Sequence, residues 1–300
     1  MTSRTIASVA PGIRTFEGEG FAVRRAFPTS QLDSVDPFLL LDEMGPSDLS
    51  PGEAKGAPDH PHRGFETVTY LLAGRFEHRD SAGHAGSLGP GDVQWMTAGG
   101  GVVHSEMPGR DLVECGGRLH GFQLWVNLPA RDKMIAPHYQ EMAARKIPTG
   151  RSTDGLVFAR VLAGEAFGQR AVIVTRTPIL YLHLTLDAGA NCEIPVPTEF
   201  GGFVFPFRGD LVAGIGAKSV AEGNVAILAT GGDAIALSHP GTDDSAREAL
   251  LVAGEPLREP VARYGPFVMN TSDEIRQAFR DYQSGKLGRI LPEISPLDKE

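Results

Sequence analysis

Three hundred residues are long for a single domain and point to two. The formal net charge of −9 argues against a nucleic-acid-binding surface, no apolar run nears the ~20 residues of a membrane-spanning helix, and Cys115 and Cys192 make neither a disulfide framework nor a cysteine zinc site. A hydrophobic content of 41% is enough for cores, while 37 Gly and 22 Pro favour short strands and many turns over long helices.

The first residues lack the sustained apolar stretch of a signal peptide. The cysteine usage fits a reducing compartment, so a cytoplasmic protein without membrane contact is expected. "GFAVRRAF" (20–27) and "DPFLLLDEM" (36–44) are the early strands. "FETVTYLLAGRFEHRD" (65–80) reads as a hairpin turning at Ala73-Gly74. "HAGSLGPGDVQWMTAGGG" (84–101) is a turn, a short strand and a second glycine turn. In "RLHGFQLWVNLP" (118–129), His120, Phe122 and Leu124 alternate against Leu119, Gln123 and Trp125, and one face must line a pocket wall. Alternation alone does not say which.

The polar segment 130–155 breaks the β pattern and is the expected inter-domain connector. Strands resume over 155–165, 179–194, 201–215, 224–230 and 233–239, the pattern of a sandwich or barrel. One helix is predicted in "TSDEIRQAFRDYQSGKLG" (271–288). Thr271 and Glu274 have capping-box spacing, Ile275, Phe279 and Tyr282 form an apolar face for docking on a barrel, and Gly285 is the stop.

The two halves resemble each other. "LLAGRFEHRD" aligns with "PFRGDLVAG", placing Gly74 on Gly209, and "GPGDVQWMTAGGGVVHSE" aligns with "AEGNVAILATGGDAIALS", placing Gly91 on Gly223. Self-similarity at a domain-sized period points to a duplicated fold.

A strand points residues i and i+2 the same way, so His60 and His62 in "DHPHRGFETVTY" (59–70) can share one ion. His104 and Glu106 in "GGGVVHSEMP" have the same spacing. Three imidazoles and a carboxylate suit Fe, Mn, Co, Ni or Zn with positions left for water or substrate. Glu66 is the rival carboxylate, and strand geometry does not choose between it and Glu106. His78, His84, His120, His138, His183 and His239 have no partner at ligand spacing and are expected to be structural or exposed. Extending the repeat puts Pro195 and Pro197 opposite the first histidine pair, and Ala236 and Ser238 opposite His104 and Glu106. One working site in the first copy would account for that difference.

At these residues the chain resembles the pirins, a branch of the cupin superfamily. The resemblance rests on "PDHPHRGFETVTYLLAG", "GPGDVQWMTAGGGVVHSEMP", "LHGFQLWVNLP" and "YGPFVMNTSDEIRQAFRDYQSGKLG". It implies an all-β bicupin of two antiparallel jelly-roll barrels with a C-terminal helix. Residues 1–140 would form the barrel carrying the metal, and 141–300 a barrel without metal ligands, ending in the docked helix. It also implies His60, His62, His104 and Glu106 as ligands of one divalent ion, iron(II) first, with Zn, Mn, Ni or Co as alternatives. By this analogy Glu106 displaces Glu66, which moves to a supporting role. Two departures from the general cupin pattern, the late Gly74 and the Thr97 and Pro108 around the second motif, are similar to what pirins show.

The implied activity is a quercetin 2,3-dioxygenase: an oxidoreductase opening a flavonol ring with O2 and releasing carbon monoxide, with Glu106 as catalytic proton acceptor. The alternative is a non-catalytic, redox-sensitive regulator binding protein partners such as transcription factors. A cupin isomerase or epimerase is disfavoured, because there is no glycine-rich phosphate cradle of P-loop type. The expected partners are a flavonol-like molecule and O2, or a regulatory protein, with no direct nucleic acid; the expected state is a monomer.

Overall fold

The structure is a computed structural model, and it describes residues 1–241 and 243–291. The last nine residues of the second expected domain therefore lie outside the described residues. The chain folds into two barrels, each a seven-stranded sheet backed by a four-stranded one. In the first, the small sheet holds Ala57–His62, Val102–Pro108, Phe76–Asp80 and Ala85–Leu88, all paired antiparallel. The central strands of its large sheet are Val93–Thr97, Phe65–Ala73, Gly117–Asn127 and Phe38–Leu49. The second barrel repeats the plan, with Asn191–Pro195 and Ala234–Ser238 in its small sheet. Among the described residues no helix is long and apolar enough to cross a membrane.

The two large sheets pack face to face. Val68, Tyr70, Trp95, Phe122 and Leu124 of the first meet Tyr181, Phe203, Phe205, Leu250 and Val252 of the second in one buried cluster. This settles the strand Gly117–Asn127: Phe122 and Leu124 enter the shared core, and Gln123 and Trp125 face a cavity inside the first barrel. Strand periodicity carries the rest, since each alternate residue goes to the other side of the sheet.

Four expectations are corrected. Residues 65–80 are not a hairpin: Phe65–Ala73 pairs within the large sheet and Phe76–Asp80 within the small one. Gly74, at φ +88°, turns the chain from one sheet to the other. The expected connector contains a strand, His138–Met142, which extends the first large sheet. The division at residue 140 also fails at the chain ends. Ile6–Pro11 joins the second barrel's sheet, while Phe267–Met269 and the C-terminal helix pack on Val103 of the first barrel.

The repeat register is the fourth. The offsets hold in the large sheets, where Val68 pairs with Trp95 as Phe203 pairs with Ile227. In the small sheets they slip. Pro195 and Pro197 are exposed, whereas Ile194, Ile235 and Leu237 point into the second barrel's apolar core. A one-residue slip flips every side chain to the other face, and the connections beside these strands differ in length between the halves. The inward positions of the second barrel are thus aliphatic.

Candidate metal centre

The first histidine pair stands on the strand Ala57–His62, which runs antiparallel to Val102–Pro108 with His60 directly opposite His104. Directly opposed residues share a face, so three imidazoles converge inside the barrel. Their ring centroids are 4.4 to 4.9 Å apart, and one ligand nitrogen from each lies within 4.8 Å of the others. His60 Nε2 and His62 Nε2 are 3.1 Å apart, the separation of adjacent ligands around an ion with metal–nitrogen bonds of about 2.1 Å.

The surroundings orient these rings. His60 Nδ1 lies 2.7 Å from Pro58 O and His62 Nδ1 3.4 Å from Pro266 O, which leaves each Nε2 for the cluster. His104 is fully buried, and neither ring nitrogen has a hydrogen-bond partner. An orphaned buried imidazole is costly unless something binds it. Burial, and then the neighbouring imidazoles, hold His62 and His104 well below the ordinary histidine range. Both are therefore neutral, as metal ligands must be. The donor set fits a divalent ion.

Glu106 lies outside that tight nitrogen group but lines the same cavity with His60 and His62. Relative to Ala57–His62, the strand register shifts between His104 and Glu106, so Glu106 sits opposite Ala57. Its Oε1 accepts from Thr69 Oγ1 at 2.8 Å and its Oε2 from Gln123 Nε2 at 3.1 Å. Glu66 is buried elsewhere, its Oε1 accepting from Thr97 Oγ1 at 2.6 Å. The strand does not run straight from His62 to Glu66. The chain turns at Gly64, φ +88°, and passes from the small sheet to the large one.

The Arg63-Gly64 step carries further work. A side chain at Gly64 would put its Cβ 1.9 Å from Val268 O, so glycine alone allows the C-terminal strand to approach. Arg63 donates to Gly100 O at 2.7 Å and pairs with Asp281 of the C-terminal helix at 2.9 Å, tying both ligand strands to that helix. Lys133 Nζ donates to Gly64 O, Asn127 Oδ1 and Val268 O.

His60 and His62 open onto a cavity of about 500 Å³. Phe21, Met44, Phe76 and Trp125 give it apolar walls. Trp125 stands 5.2 Å from the His62 ring, with the Arg263 guanidinium over the indole, 4.8 Å from its centroid. Arg25 is held by Asp42 through a two-pronged pair at 2.8 and 2.6 Å. Sequence reasoning missed Thr69, Gln123 as a Glu106 partner, and the wall residues Arg263 and Pro266. The alternation of Thr67 and Thr69 with Val68 and Tyr70 was the available signal for the first; residues some 200 positions away offered none.

The remaining histidines are structural or surface groups. His120 meets Glu43 at 3.0 Å, and His183 meets Tyr70 at 2.7 Å and Glu248 at 3.1 Å, both near the barrel–barrel core. His84 pairs with Asp80, His78 Nε2 lies 2.8 Å from Glu141, and His239 contacts Ser245 O. His138 stands on the strand added to the first large sheet.

Comparison with known proteins agrees with this picture. Residues 20–126 match the Pirin family model and residues 181–288 the model described as the Pirin C-terminal cupin domain. Pirin of Mus musculus is 45% identical over 91% of this chain and 90% of its own. A crystal structure of quercetin 2,3-dioxygenase from Acinetobacter baumannii is 35% identical, covers 97% of this chain and 100% of its own, and superposes with a TM-score of 0.89. The bacterial pirin YhhW of Escherichia coli, solved in complex with nickel(II), shares the fold at 18% identity and a TM-score of 0.60, covering 83% of this chain and 99% of its own.

Proposed function

The chain belongs to the pirin family, and from that premise we propose that it is a metal-dependent dioxygenase acting on flavonols such as quercetin. One divalent ion, iron(II) first, is held by His60, His62, His104 and Glu106 in the first barrel. The observation that carries this reading is the cluster of three imidazoles beside an aromatic-walled cavity. When bound, the ion would lower the pKa of the flavonol 3-hydroxyl and supply Lewis-acid and redox chemistry beside O2.

The protein's own groups do the rest. Phe21, Phe76, Met44 and Trp125 exclude water from a flat aromatic substrate and fix its plane. Glu106 lines the cavity with His60 and His62, and it accepts the 3-hydroxyl proton. O2 then adds to the deprotonated ring, the ring opens, and carbon monoxide leaves.

The test uses purified iron-loaded protein, metal content measured, with quercetin under air. The reading expects loss of flavonol absorbance matched by oxygen uptake. Unchanged absorbance and no uptake at full metal occupancy would contradict it. Glu106→Gln should lower turnover about 10²- to 10⁴-fold, the usual contribution of a positioned proton acceptor.

A further inference from the structure

Thr69 and Gln123 are direct cross-strand partners in the large sheet of the first barrel, and both line the metal cavity. Their side chains meet, with Thr69 Oγ1 2.7 Å from Gln123 Oε1. The same two side chains are the partners of Glu106, one on each carboxylate oxygen. Thr69 has one hydroxyl hydrogen and stands beside two acceptors, so the pair gives the carboxylate at most two donors. A carboxylate has about four lone-pair sites. At least two therefore stay available on the side that lines the cavity.

The duplicated fold supplies an internal control. Val68 pairs with Leu124 in the first barrel as Phe203 pairs with Val252 in the second. One residue along, the counterparts of Thr69 and Gln123 are Val204 and Leu251, also directly paired. Both are fully buried in the second barrel's apolar core. The fold accepts an aliphatic pair here. The polar pair stands in the barrel that has the histidine cluster, and both its members hold Glu106, which lines the cavity with His60 and His62.

We propose that Thr69 and Gln123 are positioning residues that aim the Glu106 carboxylate at the divalent ion held by the three histidines. The proposal rests on the metal-centre reading above. It assigns the pair no contact with the ion and no part in barrel stability. Partners that orient a ligating carboxylate affect metal affinity by about 10- to 100-fold.

The test is cobalt(II) titration of the purified full chain, read by affinity and by the visible absorption of the bound ion. Thr69→Val and Gln123→Leu import the second barrel's own pair. Each should weaken cobalt binding at least tenfold, and Thr69→Ser should restore it. Glu106→Gln should weaken binding similarly, and adding it to the Thr69→Val/Gln123→Leu pair should cause no further loss. The spectra of the two lesions should match. Losses that multiply instead, or wild-type affinity and spectrum in the double variant, would overturn the inference while leaving the histidine site intact. Cobalt binding that survives His62→Ala unchanged would overturn the metal-centre reading itself, and the inference with it. Should the double substitution unfold the barrel, Thr69→Ala alone carries the same expectation.

Discussion

His104 states the conflict between site and fold most sharply. Both its ring nitrogens are buried and unpartnered, a cost of about 1–3 kcal/mol for an unsatisfied polar side chain. The second barrel fills its inward positions with Ile194, Ile235 and Leu237 instead. His104→Leu should therefore stabilise the metal-free protein by about 1–2 kcal/mol and abolish the rise in melting temperature that nickel or cobalt produces. Calorimetry with and without the ion checks both halves; a less stable metal-free variant would contradict the account. The three histidines were legible in the sequence because a strand's period of two makes His-x-His a shared face. Which of Glu106 and Glu66 lines the cavity with His60 and His62 was not. It depends on Gly64, where a positive φ takes the chain out of one sheet and into another. No local pattern reports which sheet a strand joins.

The C-terminal helix was readable at its ends and in its apolar face, where Ile275 and Phe279 pack against Val103 and Phe267 in one cluster. Thr271 and Glu274 form the capping box and Gly285 has φ +78° just past the end. Tyr282 lies at the rim, 38% exposed, and the buried positions beyond that pattern are Ala278 and Asp281. Asp281 is inside because Arg63 is there to meet it, and an ion pair across more than 200 residues leaves no local trace. Removing one partner of a buried pair leaves the other uncompensated. Asp281→Ala should cost about 3 kcal/mol, against about 1 kcal/mol for Thr271→Ala at the cap. Urea unfolding gives the totals, and hydrogen exchange over 267–283 shows whether the helix detaches first.

Lys133, which ties Gly64 to the C-terminal strand Phe267–Met269, adds a pH dependence. Burial pushes its ammonium down to about 8 from the ordinary 10.5. Between those values the unfolded chain binds the extra proton, so this group makes stability rise with pH from about 8 to 10.5, by up to about 3 kcal/mol. Lys133→Met should remove that rise. Parallel stability curves for the two proteins across this window would contradict the assignment.

At the scale of the molecule, the two barrels are one folding unit. Their large sheets share a single buried cluster, and each chain end crosses to the opposite barrel. Thermal unfolding should show one transition, and Phe203→Ala, at the centre of the shared face, should cost about 3–5 kcal/mol. The doubling was visible in the paired glycines, since positive-φ turns such as Gly74 and Gly209 tolerate little else. The crossing of the ends was not, because strands such as Ile6–Pro11 carry no mark of which sheet edge they complete. The proposed centre holds one divalent ion, in the first barrel. An anomalous difference map from iron- or nickel-loaded crystals tests it most directly. The account predicts a single peak among His60, His62 and His104, within bonding distance of Glu106. A metal-loaded crystal with that position empty, or with the ion seated in the second barrel, would contradict it.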